Sequence, residues 1–120
     1  MDKLLLEEVI DRYKHPRHRG RITAAKEFRA QNLSCGDVIT LYLEIDNNVV
    51  KSAKFDGELC SIANYGAELL LDRIIGQPIT AVTSRELLGD FDGGLLNNPV
   101  RLKCFELPQV ALNESKGGKL

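Results

Sequence analysis

The sequence predicts an α+β fold, a three-stranded antiparallel sheet packed against helices in two layers, and three observations carry that prediction. Apolar residues recur at helical spacing near the N-terminus, change to strict alternation between Phe28 and Asp56, and return to helical spacing after Cys60. Strands precede most of the helices, and no internal repeat or low-complexity segment interrupts them. At 120 residues the chain can bury one core but not two, so residues 1–120 are read as one domain.

Leu5, Leu6, Val9, Ile10 and Tyr13 share one helical face and Glu7, Glu8, Asp11 and Arg12 fill the other, which predicts an amphipathic helix over residues 2–14. His15-Pro16 ends it, because the residue before proline is pushed out of the helical region. A basic loop, closed by Gly20, is expected over 15–24. A short strand is expected over Glu27–Gln31. Ile39, Leu41, Leu43 and Ile45 alternate with Thr40, Tyr42 and Glu44 in a half-buried strand. Asp46-Asn47-Asn48 supplies turn residues, and Val49–Asp56 runs back with Val49, Ala53 and Phe55 among its apolar positions. From Ala63 to Ile75 the apolar period is helical again, with Gly76 and Pro78 as a stop, and this helix is expected to cover the sheet. Residues Ser84–Phe91 read as a short helix, Gly93-Gly94 as a break, and Pro99 onward as a last helix bearing Cys104 near its start. Residues 114–120 are expected to be a flexible tail.

Composition narrows the function. A net charge of −1 with 28% charged residues and no Trp offers neither a phosphate-neutralising stripe nor the best base-stacking side chain, so nucleic acid is not an expected partner. No apolar run approaches the roughly 20 residues of a membrane span, and no signal-peptide pattern opens the chain, so a soluble, cytoplasmic protein is expected. Three cysteines cannot all pair as disulfides, and in a reducing compartment they are available for metal or sulfur chemistry.

Those cysteines share a placement. Cys35 stands at the entrance to the first clear strand, Cys60 between the hairpin and the following helix, and Cys104 near the start of the last helix, all positions that a rigid scaffold fixes and solvent can reach. Cys35 and Asp37, two residues apart, would project to one face of a regular strand, with Gly36 free to bend the backbone between them. Adding Cys60 and Cys104 gives three sulfurs and one oxygen, a donor count that suits tetrahedral zinc or the edge of an iron–sulfur cluster. A helix N-terminus is expected to lower the pKa of Cys60, and Arg101 and Lys103 to favour the Cys104 thiolate. His15 and His18 are read as solvated loop residues rather than ligands.

At these residues the sequence resembles the IscU/NifU-like scaffold family, and within it the SufU-like branch. Tyr13-Lys14-His15-Pro16-Arg17-His18-Arg19-Gly20 is similar to the family's Tyr-Lys-Asn-Pro-Arg-Asn-x-Gly segment. Cys35-Gly36-Asp37 is similar to its Cys-Gly-Asp motif, Gly57–Ala63 to its second cysteine segment, and Arg101-Leu102-Lys103-Cys104 with Leu107-Pro108 to its third. The resemblance implies a site of Cys35, Asp37, Cys60 and Cys104, supported by Gly36, Arg101 and Lys103. It also implies Zn2+ or a transient [2Fe–2S] cluster as cofactor. Two functions in iron–sulfur biogenesis then stand open. One is a zinc-containing acceptor that takes persulfide sulfur on Cys35 from a cysteine desulfurase. The other is a scaffold that assembles a [2Fe–2S] cluster and passes it to apo acceptor proteins. A structural zinc-binding interaction module is a third. Lys103 stands where IscU proper has histidine, as in the SufU-like branch, whereas the stretch from Ser61 to Lys103 is too short for the insertion common in that branch. Asn97–Arg101 keeps half of the segment by which IscU binds its chaperone, which puts a dedicated Hsp70-type partner in doubt.

Overall fold

The computed structural model describes residues 2–80, 82–89 and 92–116, the last three by their backbone alone. Helix α1 spans Lys3–Lys14 and is capped by Asp2, whose carboxylate accepts the Leu5 N–H at 2.9 Å. Strands β1 (Lys26–Asn32), β2 (Asp37–Asp46) and β3 (Val49–Glu58) form one antiparallel sheet in the order β1-β2-β3. Asn47 and Asn48 both take positive φ, 52° and 64°, as a two-residue hairpin turn of the primed type requires. A register shift between Glu44 and Ile45 changes which side chain points inward, so Val50 is fully buried and Val49 half-buried.

Helix α2 (Ser61–Ile74) lies at the centre of the molecule. Its Ala67, Leu70, Leu71 and Ile74 pack with Leu107, Ala111 and Leu112 against the sheet face formed by Phe28, Ile39, Leu41, Leu43, Ala53 and Phe55. On its other side, Ile62 and Tyr65 join a second cluster with Leu5, Val9 and Phe105. A helix covered on both sides has almost no solvated stripe, so α2 also buries Asn64, Gly66 and Glu68.

The segment after α1 is not a free loop. The Phe55 N–H donates to the His18 carbonyl at 2.9 Å and the Gly20 N–H to the Phe55 carbonyl at 2.8 Å, so residues 18–20 cover the open edge of β3. Helix α3 covers Ser84–Leu88 with a Thr83/Glu86 capping box and ends at Gly89; the expected continuation through Asp90 and Phe91 lies outside the described residues. Gly93 and Gly94, both with positive φ, precede a single 3₁₀ turn at Leu95–Asn97.

The expected last helix is two helices, α4 (Pro99–Phe105) and α5 (Leu107–Lys116). Pro108 has no N–H to give the preceding turn and crowds Leu107, so the helix breaks at Glu106. Cys104 therefore sits in the last turn of α4 rather than near a helix start. Of the expected tail, residues 114–116 continue α5 and 117–120 lie outside the described residues. No helix among the described residues is long and apolar enough to cross a membrane.

Candidate metal and sulfur site

Each cysteine is placed by a different local device. At the end of β1, the Asn32 side chain accepts the Ser34 N–H at 3.0 Å and its carbonyl accepts the Gly36 N–H at 2.8 Å, which closes a tight turn over residues 33–36. Gly36 takes φ +80°, and that turn carries Cys35 into solvent. Cys35 is thus on a turn, and the shared-strand-face relation expected for Cys35 and Asp37 does not hold. Asp37 opens β2 opposite Asn32, is only 9% exposed, and accepts the Cys60 N–H at 3.3 Å.

Cys60 is the N-cap of α2, its sulfur accepting the Ala63 N–H at 3.4 Å. Cys104 is held from behind by Phe105, which is fully buried, with its ring 6.1 Å from that of Tyr65. A side chain at Gly66 would place its first carbon 2.1 Å from the Phe105 carbonyl oxygen, so only glycine lets α4 approach α2 this closely.

Three ligand atoms converge: those of Cys35, Asp37 and Cys104 all lie within 4.8 Å of one another. Tetrahedral zinc–thiolate bonds of about 2.3 Å put ligand atoms about 3.8 Å apart, so about 1 Å of closure brings this set to ligating distance. The Cys60 sulfur falls outside that mutual set, yet is close enough to influence Cys104. Three soft sulfurs and one carboxylate from four different elements fit a four-coordinate metal in kind and number.

The electrostatics overturn two expectations. Burial pushes the Cys60 thiol up from its ordinary value and the nearby Asp37 carboxylate adds to that, outweighing the N–H groups at the start of α2. Cys104 is pushed up to about 12, first by burial and then by Cys60 and Cys35 crowding the same space. Arg101 and Lys103, both exposed, do not offset this. Without a metal, the site therefore holds these two sulfurs as thiols. A bound dication is the charge that would convert them to thiolates.

Beside this site is a cluster that sequence reasoning missed. Glu68, fully buried, accepts Arg12 Nη1 at 2.9 Å, the Arg17 N–H at 3.0 and 3.1 Å to its two oxygens, and the His18 N–H at 3.0 Å. Asp72 accepts Arg12 Nη2 at 2.6 Å and lies 2.7 Å from His18 Nε2. His18 is thus bound by α2, while His15, exposed, caps the end of α1. Asn64 Nδ2 donates to the Arg12 carbonyl at 3.2 Å, and Arg19 donates to the Gly57 carbonyl while stacking 5.4 Å from the Phe55 ring centroid. The signal was legible: a glutamate inside the apolar face of a central helix demands cations or N–H donors.

The sequence pattern described as "NifU-like N terminal domain" matches residues 5–115. The chain is 36% identical to the iron–sulfur cluster assembly scaffold protein IscU of Thermotoga maritima, over 91% of this chain and 89% of that protein. It is 31% identical to the zinc-dependent sulfurtransferase SufU of Bacillus subtilis, over 95% and 90%. Among solved structures, a putative iron–sulfur cluster assembly scaffold protein for the SUF system from Fervidobacterium islandicum superposes with a TM-score of 0.78 at 28% identity, covering 90% of this chain and 93% of that one.

Proposed function

The chain belongs to the family of NifU-like N-terminal domains, and on that premise we propose that it serves iron–sulfur cluster assembly as a zinc-containing sulfur acceptor for a cysteine desulfurase. The observation that supports this reading most is the convergence of Cys35, Asp37 and Cys104 within 4.8 Å, with Cys35 exposed on a turn. Cys35, Asp37, Cys60 and Cys104 would hold zinc, Cys60 by turning its sulfur away from Ala63. Lys103 donates hydrogen bonds but at neutral pH is a poor ligand, which leaves Asp37 as the fourth. When bound, zinc would keep the thiols as thiolates and poise Cys35 to take persulfide sulfur. Residues 1–120 act as one domain in this reading, in a cytoplasm that keeps thiols reduced.

The second reading, a scaffold that assembles a [2Fe–2S] cluster and hands it to apo acceptor proteins, draws support from the 36% identity to the Thermotoga scaffold. The two part on metal content. Protein purified anaerobically without a tag is expected to carry about one zinc per chain and little iron or acid-labile sulfide; stoichiometric iron and sulfide would favour the scaffold instead. Cys35→Ser is expected to abolish stimulation of the desulfurase, and unchanged stimulation would reject Cys35 as acceptor. A purely structural zinc module is disfavoured, because Cys35 is exposed and both apolar clusters form without it.

A further inference from the structure

We propose that Cys104 resolves a persulfide formed on Cys35, releasing the transferred sulfur as hydrogen sulfide and leaving a Cys35–Cys104 disulfide. The step rests on the reading of Cys35 as the sulfur acceptor. It gives that sulfur a way out as sulfide, the oxidation level a cluster needs, without a separate electron donor for the first turnover.

The geometry distinguishes the two thiols that could do this. The ligand atoms of Cys35 and Cys104 lie within 4.8 Å, and a disulfide brings its sulfurs to about 2 Å, so one of them must travel up to about 3 Å. Cys35 is the one that can move. Its turn makes no tight packing contact at Gly36, where a side-chain carbon would meet nothing within 4 Å, and neighbouring Leu33 is 86% exposed. Cys104 is the fixed partner, because Phe105 behind it is buried against Tyr65 and abuts Gly66. Cys60, the other candidate, keeps its sulfur on the Ala63 N–H and outside the close set.

The chemistry balances within the chain. The Cys104 sulfur attacks the inner, Cys35-bound sulfur of the persulfide as its own proton passes to the outer sulfur. The bond between the two cysteine sulfurs forms, the bond to the outer sulfur breaks, and the Cys104 proton leaves with the outer sulfur as hydrogen sulfide. The two cysteine sulfurs are together oxidised by two electrons, which reduce the outer sulfur to sulfide. Exchange of this kind is favoured when the leaving sulfur is the better anion, and hydrosulfide is a better one than a cysteine thiolate. Returning to the dithiol for a second turnover requires a dithiol reductant of the thioredoxin class.

The test loads the full, zinc-bound chain anaerobically with a cysteine desulfurase and limiting L-cysteine, then withdraws the zinc with a chelator so that Cys104 is free to react. After the enzyme is removed, mass spectrometry follows the added sulfur atom on Cys35 and peptide mapping follows the disulfide, while released sulfide is trapped. Sulfide and the Cys35–Cys104 disulfide are expected to appear in equal amounts as persulfide disappears. In Cys104→Ser the persulfide should persist and sulfide release should stop. A persistent persulfide in the unaltered chain, a Cys35–Cys60 bond in place of the expected one, or undiminished release from Cys104→Ser would each overturn the step alone. Failure of Cys35 to take sulfur would overturn the acceptor reading and this step with it.

Discussion

Helix α2 meets two polar clusters, and they are built in opposite ways. Along its middle and C-terminal half, the buried Glu68 and the exposed Asp72 are surrounded by Arg12, His18 and backbone N–H groups, so both carboxylates have partners within the chain. At its N-terminus, about two turns away, the ligand atoms of Cys35, Asp37 and Cys104 converge on each other, with Cys60 close enough to act on Cys104. No ion pair to Asp37 is found among the described residues. The first cluster is complete and holds segment 15–20 against α2 and β3. The second is a candidate metal site. A buried polar group with its partners in place is structure, whereas convergent donors without one are a site for a ligand.

The largest effect that could break this comparison is Glu68→Ala. It leaves the Arg12 guanidinium buried beside a void and the Arg17 and His18 N–H groups without their acceptor, and is expected to cost about 3–5 kcal/mol in urea unfolding. A loss below about 1 kcal/mol would mean the cluster is not the structural half of the pair.

Gly66→Ala tests the link between the halves. The new carbon would collide with the Phe105 carbonyl oxygen at 2.1 Å, so α4 must move and take Cys104 with it. About 1–3 kcal/mol of stability and a measurable part of the zinc affinity should be lost together. Stability lost with zinc titrations unchanged would show that Cys104 is not positioned through this contact.

pH should separate the halves by sign. The folded state favours the thiol form of Cys60 and Cys104, so in metal-free protein their contribution is present below about pH 9 and lost as pH rises through their raised values, about 12 for Cys104. Tyr65, pushed up to about 12 by burial, titrates in the same window, so Cys104→Ser should flatten only part of the alkaline loss. Asp72 is held below its ordinary 3.8, chiefly by His18 and Arg12 against the opposing effect of burial. Its contribution is present above that pH and lost on acidification through the lowered value. Zinc binding displaces protons from the thiols, so zinc affinity should instead rise with pH, about tenfold per unit for each proton displaced. Denaturation midpoints and zinc titrations across pH, with and without chelator, check all three signs.

The smallest effect is expected at Cys35→Ser in the metal-free chain. An exposed side chain on an unpacked turn should change stability by less than about 0.5 kcal/mol, while zinc affinity and sulfur acceptance fall. A larger loss by thermal unfolding would make Cys35 part of the framework.

What was legible followed from local rules. The three strands, the Asn47-Asn48 turn and α2 are written in apolar periodicity and turn chemistry, each readable from neighbours a few residues apart. The burial of Val50 was not legible, because a bulge shifts the register without leaving a mark in the alternation. Cys104 was misplaced because Pro99 onward reads as one helix, although Pro108, which breaks it at Glu106, is a sequence signal. The cysteines at element ends were visible. The pKa directions were not, because they depend on burial and on sulfurs brought together from distant parts of the chain.

By itself the sequence determined the sheet, the central helix and the placing of cysteines at element ends, because hydrophobic period, turn residues and cysteine placement act over short stretches. Tertiary structure decided the rest. It closed Cys35, Asp37 and Cys104 to within 4.8 Å, left the Cys60 sulfur on a helix end, raised two thiols where lowering was expected, and paired Glu68 with a loop about 50 residues earlier. Desolvation and Coulomb interactions depend on distance in space, and the chain order does not encode that distance until the layers have packed.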